Sequence, residues 1–411
     1  MNHNHIHSSP VRPSERYIIL DALRGFALLG IALANFPEFS LYTFLNPEAA
    51  AALPSAETDK VVRWLLYYLV DGKFYTLFSL LFGIGFSIII ANAARKGANG
   101  FLIFYRRMGV LTLIGFLHLM FIWSGDILML YALMGMLLPL FRHASDKAVL
   151  SWALALLLTP VCIDLVCETG GIYLAQPVVE AQQAVCARYG ITDDNFAYWL
   201  RDAHDYTGVF QFLLQGALVR VQEFVDGHRY FKVLGLFLIG FYIGRKKLYA
   251  ELEQRRTWLV RVCRRCLLAG LPLSVAYAWS CMSGHPLGLT VHSLLYLVSV
   301  YPMGFAYAAG FCLLYLRWKH LRLWQLPAAP GRMALTCYIS QSVIGMFLFY
   351  GIGLGRGADT GLTATEGIVL GVYLFQVVFC LVWLRFFRFG PLEWIWRMLT
   401  YGQWFSLLKK A

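Results

Sequence analysis

The chain has 411 residues, of which 59% are hydrophobic and 14% charged, with a formal net charge of +12. Soluble globular chains are roughly 45–50% apolar and about 25% charged, so a string of soluble domains is excluded. The basic excess sits in short loops between apolar runs, where it orients membrane spans, and it is not the footprint of a nucleic-acid binder.

Residues 1–17 read as a disordered cytoplasmic tail. They are polar, with no basic head, apolar core and small-residue cleavage site of a signal peptide. His3, His5 and His7 belong to that tail and are not assigned to a metal; no metal site is expected anywhere in the chain. A helix crossing a ~30 Å hydrocarbon core needs about 20 mostly apolar residues. Segments meeting that need fall at 18–36, 74–94, 103–123, 126–142, 148–167, 230–246, 259–281, 291–316, 333–354 and 365–387. The third and fourth share a tight Trp123-Ser-Gly-Asp126 turn and read as a helical hairpin. Most Lys and Arg fall in alternate loops, which places both termini in the cytoplasm. The expected architecture is an all-α polytopic membrane protein of about ten transmembrane helices, with one transmembrane domain over 18–387.

Residues 37–73 contain RWLLYYLVDGKF, read as a helix lying on or dipping into the outer surface. The large extracytoplasmic loop, 168–229, holds an aromatic, amphipathic helical stretch that suits a cap over a cavity or contact with lipid. Cys167 and Cys186 fall in or beside it and could pair if the loop is extracytoplasmic. Residues 388–411 read as an interfacial amphipathic helix, rich in Trp, with Glu393 and Arg397 four apart and able to pair.

The first span, LDALRGFALLGIALANF, carries polar groups that are expensive in hydrocarbon. At about 100° per residue, Asp21, Arg24 and Asn35 share one stripe, with Gly25 and Ala32 beside it. Small residues there admit a close neighbour. Arg107 and His118 repeat this eleven-residue spacing on the third span. The pattern has two tiers. The inner tier is Asp21, Arg24, Arg106 and Arg107; the outer tier is Asn35, Asp71, Lys73, His118, Asp126 and Tyr131. Both are expected to face one solvated passage.

Arginines at a cytoplasmic mouth suit the phosphates of an acyl-coenzyme A. A deeper imidazole suits a general base, with Asp126 to orient it and Asn35 or Lys73 to donate to an oxyanion. Asp71, Lys73 and Tyr131 are candidates for substrate binding. The same residues also have plain structural uses: an Asp21–Arg24 pair locking spans, Arg106 and Arg107 as cytoplasmic anchors, His118 as an interhelical donor, Asp126 as a helix cap.

The motifs LDALRGFALLGIALANF, DGKFYTLFSLLFGIGFS, RRMGVLTLIGFLHLMFIWSGDILMLYALMG, GRMALTCYISQSV and FRFGPLEWIWRMLTYG span residues 20–402. They resemble the YeiB-type family of bacterial membrane proteins (domain of unknown function 418). The first motif also resembles the opening of transmembrane acyltransferases, of the acyltransferase-three and heparan glucosaminide N-acetyltransferase types. Both carry Asp-x-x-Arg on the first span, matching Asp21 and Arg24. The bacterial O-acyltransferases place a catalytic histidine eleven residues after that arginine, where this chain has Asn35. The heparan type also has asparagine there, which leaves His118 as the substitute. The resemblance implies a bacterial inner-membrane acyltransferase passing an acyl group from cytoplasmic acyl-CoA to an extracytoplasmic or lipid-linked acceptor, a sugar or envelope component. Membrane lipids are the other expected partner, and the oligomeric state stays open. The rival reading is a proton-coupled transporter or lipid-handling permease, although no internal repeat is evident. A structural or signalling protein without turnover is the third.

Overall fold

A computed structural model describes residues 17–95, 97 and 99–409. The tail with His3, His5 and His7 lies outside the described residues, as do Lys96 and Lys410. The described chain is helical; its one isolated antiparallel bridge joins Phe387 to Leu408.

Helix α1, Ile18–Phe39, runs unbroken through Pro37 in its last turn. A short α2, Pro47–Ala52, is capped by Asn46, whose side chain accepts from Ala49 N at 2.8 Å. Helix α3, Ala56–Leu65, continues through a π-helical turn, Leu66–Val70. A turn through Gly72, at φ +71°, leads into α4, Lys73–Arg95. Helix α5, Gly100–Phe121, starts at an Asn99 cap. After the Trp123–Asp126 turn, α6 runs over only Leu128–Gly135, followed by a 3₁₀ turn at Leu138–Phe141. Ser145 caps α7, Asp146–Gly170.

The large loop folds into α8, Gln176–Tyr189, two single turns at 193–196 and 199–202, and a longer helix, here α9, Tyr206–Asp226. Helix α9 lies across the C-terminal end of α5: Tyr206 Oη donates to Phe121 O at 2.6 Å and Arg220 Nε to Ser124 O at 2.9 Å. Cys167 and Cys186 are both free; they sit on separate helices, and the Cys186 sulfur accepts from Gln182.

Helices α10, Arg229–Arg245, α11, Arg256–Met282, and α12, Gly288–Trp318, follow. A short α13, Gln325–Arg332, turns by 71° into α14, Ala334–Phe349. Helices α15, Leu362–Phe386, and α16, Pro391–Tyr401, complete the chain.

Among the described residues, six helical stretches are long and apolar enough to cross a membrane: α1, the continuous Ala56–Arg95, α5, α7, α12 and α15. The bent α13–α14 pair makes a seventh if it forms one span. The other expected spans are helical but differ in kind. Helix α6 is 8 residues long, α10 is 17, and α11 carries Arg256, Arg261, Arg264 and Arg265 through its first half. Segment 333–354 stops at Phe349, because Tyr350 turns extended.

Lipid tails are as apolar as leucine, so these helices associate through close packing more than through hydrophobic burial. Helices α1 and α13 show it. A Cβ on Gly25 would run into the Pro327 carbonyl oxygen, and one on Gly331 into that of Asp21. The small-residue stripe of α1 therefore receives a neighbouring backbone. From its other side, Tyr373 Oη of α15 donates to Gly25 O at 2.8 Å.

Candidate functional site

His118 stands one turn before the end of α5, whose last carbonyls are already committed: Ile122 N and Trp123 N both donate to His118 O, at 3.0 and 2.9 Å. The tight turn that follows carries Asp126 back against the same helix. His118 Nδ1 and Asp126 Oδ1 lie 2.9 Å apart, while Asp126 Oδ2 accepts from Met129 N at 2.8 Å and so caps the first turn of α6. Gly115 lets α6 begin this close, since a Cβ there would sit 2.5 Å from Met129 N. On the other side of the ring, His118 Nε2 is 2.9 Å from Ser342 Oγ of α14. All three residues are about 1% exposed.

In the tautomer that donates Nδ1–H to the Asp126 carboxylate, the bare Nε2 accepts from the Ser342 hydroxyl. This is the hydrogen-bond order that prepares a hydroxyl for proton transfer. Ser342 is held by its own helix: Gln341 Nε2 donates to Gln376 Oε1 at 2.9 Å, and Gln376 Nε2 donates to Cys337 O and Ser340 Oγ. That buried ladder fixes α14 against α15.

The imidazole is enclosed by aromatic rings. Tyr338, one turn before Ser342, has its ring centroid 5.3 Å away, and Trp123 lies at 6.1 Å, itself covered by Phe39 at 4.4 Å. Past Trp123 opens a cavity of about 300 Å³, lined by Glu38, Ser124, Phe212, Gln215, Arg220 and Glu223. Arg220 pairs there with Glu223 and lies 3.6 Å from Glu38. A second cavity, about 370 Å³, lies at the start of α1 between Tyr17, Tyr249, Glu253 and Lys319. Neither is lined by Arg24 or His118, so neither supplies the common passage expected from the two stripes.

Three of the four inner-tier residues, Asp21, Arg24 and Arg107, gather. Arg24 Nη1 pairs with Asp21 Oδ1 at 2.6 Å. Arg107 stacks 3.5 Å above the Trp396 ring of α16, whose indole N–H donates to Arg107 O. Arg24 and Arg397 both lie within electrostatic reach of Arg107. Arg106 faces outward and is exposed.

The outer tier divides. Only Asp126 meets His118. Asp71 accepts from Tyr277 Oη of α11. Lys73 is fully buried, donates to Tyr67 O at 2.6 Å and lies 4.7 Å over the Tyr277 ring, which removes it as an oxyanion donor beside His118. Tyr131 shares a 2.6 Å hydrogen bond with Ser79 and ties α6 to α4. Asn35 is half-buried and makes no hydrogen bond among the described residues.

Sequence reasoning missed Ser342, although the quoted motif GRMALTCYISQSV contains it. Three consecutive polar residues, Ser340-Gln341-Ser342, in an apolar helix were the available signal. It also missed the destination of Glu393. That carboxylate accepts from Leu335 N at 2.7 Å, Thr336 N at 3.1 Å and Thr336 Oγ1 at 2.6 Å, capping α14. Burial pushes the Glu393 carboxyl above its usual range, against these donors, which pull it down. Arg397, the expected partner, has its guanidinium 4.7 Å over the Phe389 ring.

Residues 243–403 match the family model described as a protein of unknown function, DUF418. Over almost the whole length, the chain is 31% identical to the uncharacterized protein YxaH of Bacillus subtilis (strain 168), covering 98% of each. The chain belongs to the DUF418 family. An uncharacterized 39.9 kDa protein of Bacillus acidopullulyticus is also 31% identical, over 98% of each chain. The uncharacterized protein YeiB of Escherichia coli (strain K12) is 29% identical, over 94% of this chain and 96% of its own. No solved structure matches. The DUF418 match takes in Ser342, Glu393 and Arg397, whereas His118 and Asp126 precede it; the site therefore joins the matched segment to the helices before it.

Proposed function

We propose that this DUF418 protein is a membrane acyltransferase of the bacterial inner membrane. It would move an acyl group from cytoplasmic acyl-CoA to a hydroxyl or amine on an extracytoplasmic or lipid-linked acceptor, a sugar or envelope component. The observation that carries the reading is the buried run Asp126–His118–Ser342. Asp126 holds the Nδ1–H tautomer. His118 Nε2 takes the Ser342 proton as Oγ attacks the thioester carbonyl. The C–S bond breaks, the CoA thiolate leaves with the proton from Nε2, and the acyl group rests on Ser342. An acceptor then gives its proton to Nε2 and attacks the acyl-serine; the ester C–O bond breaks and Oγ leaves with the proton from Nε2.

The remaining parts take supporting roles in this reading. Ten spans, with α6, α10 and α11 included and both termini cytoplasmic, put the Arg24–Arg107 end inside, where Arg24, Arg106 and Arg107 meet the donor's phosphates. Helix α9 then caps the outer end, and the acceptor's approach to His118 runs past Trp123. Helix α16 lies at the inner surface.

The test is transfer from radiolabelled acetyl-CoA and palmitoyl-CoA by the full chain in nanodiscs supplied with envelope lipid and sugar extract. Wild-type transfer that drops at least 10³-fold in His118→Ala, with normal membrane insertion, supports the reading. No binding of either acyl-CoA at high concentration, in wild type and in Arg24→Ala alike, refutes it.

A second reading, proton-coupled transport, draws on a different buried network. His228 Nε2 lies 2.8 Å from Asp164, Ser293 donates to the same carboxylate, and Lys232 lies 4.1 Å over Tyr296. Gradient-driven solute uptake in proteoliposomes that is abolished by Asp164→Asn favours it over acyl transfer.

A further inference from the structure

Helices α11 and α12 are joined by CMSGHPLGLTVH, residues 281–292, and this turn gathers Cys281, His285 and His292. One ligating atom from each lies within 4.8 Å of the other two. Cys281 comes from the last turn of α11 and His292 from the first turns of α12. His285 lies between them at φ +57°, a left-handed conformation that follows Gly284 at +68°. This backbone folds the His285 ring edge-on to His292, with centroids 4.0 Å apart. Ser280 Oγ sits 3.3 Å from His292 Nδ1, which leaves Nε2 as the open nitrogen. Tyr277 stacks on the far face of His292 at 5.3 Å and donates to Asp71, so a carboxylate stands behind the cluster.

We propose that Cys281, His285 and His292 form a zinc site. One thiolate and two imidazoles are borderline-soft donors that select Zn²⁺ over Mg²⁺ or Ca²⁺. Tetrahedral Zn–S and Zn–N bonds of about 2.3 and 2.0–2.1 Å put ligand atoms roughly 3.3–3.8 Å apart. The present atoms, within 4.8 Å of one another, stand about 1 Å beyond that spacing. Ser280 on the second nitrogen of His292 is the outer-shell hydrogen bond that orients a ligating imidazole. Three protein ligands leave a fourth position open to water or a substrate group. All three residues are half-buried, beside the exposed Met282, Ser283 and Gly284, so an ion can enter without unfolding. None of them touches His118, Asp126 or Ser342, and the inference does not depend on acyl transfer.

The test uses the full chain in nanodiscs, stripped with EDTA and titrated with ZnCl₂, in a His3→Ala, His5→Ala, His7→Ala background that removes the tail imidazoles. Alkylation of each cysteine by maleimide is followed by peptide mass spectrometry, and bound zinc by elemental analysis. The site predicts one zinc per chain and at least tenfold slower alkylation of Cys281, reversed by EDTA. Cys167 and Cys186 keep their rates. His285→Ala and His292→Gln abolish the protection while those two internal rates stay unchanged. Should a variant fail to fold, the wild-type rates decide alone: Cys281 reacting equally fast at saturating zinc overturns the site. So does stoichiometric zinc that survives Cys281→Ser.

Discussion

A serine hydroxyl donating to an imidazole that is itself held by a carboxylate is a small constellation, and each member here answers to a different part of the chain. Asp126 is fixed twice, by His118 and by the α6 backbone, so it positions the ring whether or not substrate is present. Ser342→Ala removes one neutral hydrogen bond. It should cost only about 1 kcal/mol of stability, read from thermal unfolding in detergent, while acyl transfer disappears. Loss of stability and activity in step would instead mark Ser342 as a structural pin. Glu393→Gln is the converse case. It should leave chemistry at Ser342 largely intact yet lower stability by about 1–2 kcal/mol, because the α14 N-terminus loses a charged cap. The His118–Asp126 pair was legible in the sequence, since eight residues and one tight turn separate them. Ser342 lies 224 residues from His118 and Glu393 lies 58 from Leu335. Local spacing carries no information about such partners.

At the scale of elements, polar residues in apolar helices mark seams between helices, and the seams need not coincide with a passage. Asp21 and Gly25 on the α1 stripe meet α13 at backbone contact, and α15 reaches Gly25 O through the Tyr373 hydroxyl. Gly25→Ala should therefore destabilise the protein by about 1–3 kcal/mol through overpacking, measured as a lowered unfolding temperature, whereas Gly109→Ala on α5, where a Cβ meets nothing, should be neutral. Equal tolerance at both positions would show that α1 and α13 are not packed this closely. Helical identity was readable throughout from the apolar runs. Helix ends were less so: the apolar pattern does not announce the π-helical turn before Asp71, and the 71° bend before Ala334 follows Pro330-Gly331-Arg332, at the start of a segment read from 333 onward.

For the whole molecule, the alternating basic loops and the ten-span reading require both chain ends on one side. Tyr17→Cys and Ser406→Cys, each in a background lacking the native cysteines, should both resist a membrane-impermeant maleimide in spheroplasts and both react after permeabilisation. Labelling of one but not the other would break the ten-span topology. The number of crossings was the least legible property, because α6, α10 and α11 are too short or too basic to announce their depth by composition. The large loop was legible as helical and aromatic, while its seat on the α5 end depends on Tyr206 and Arg220 finding distant carbonyls. The functional account stands on Asp126, His118 and Ser342 acting as one unit at that capped end. Its most direct test is to trap the protein with radiolabelled acetyl- or palmitoyl-CoA in the absence of acceptor and to sequence the labelled peptide by mass spectrometry. The account predicts one acyl group on Ser342 in the wild type and none in His118→Ala. Transfer to acceptor at the wild-type rate in Ser342→Ala, with no acyl group ever found on residue 342, would contradict it.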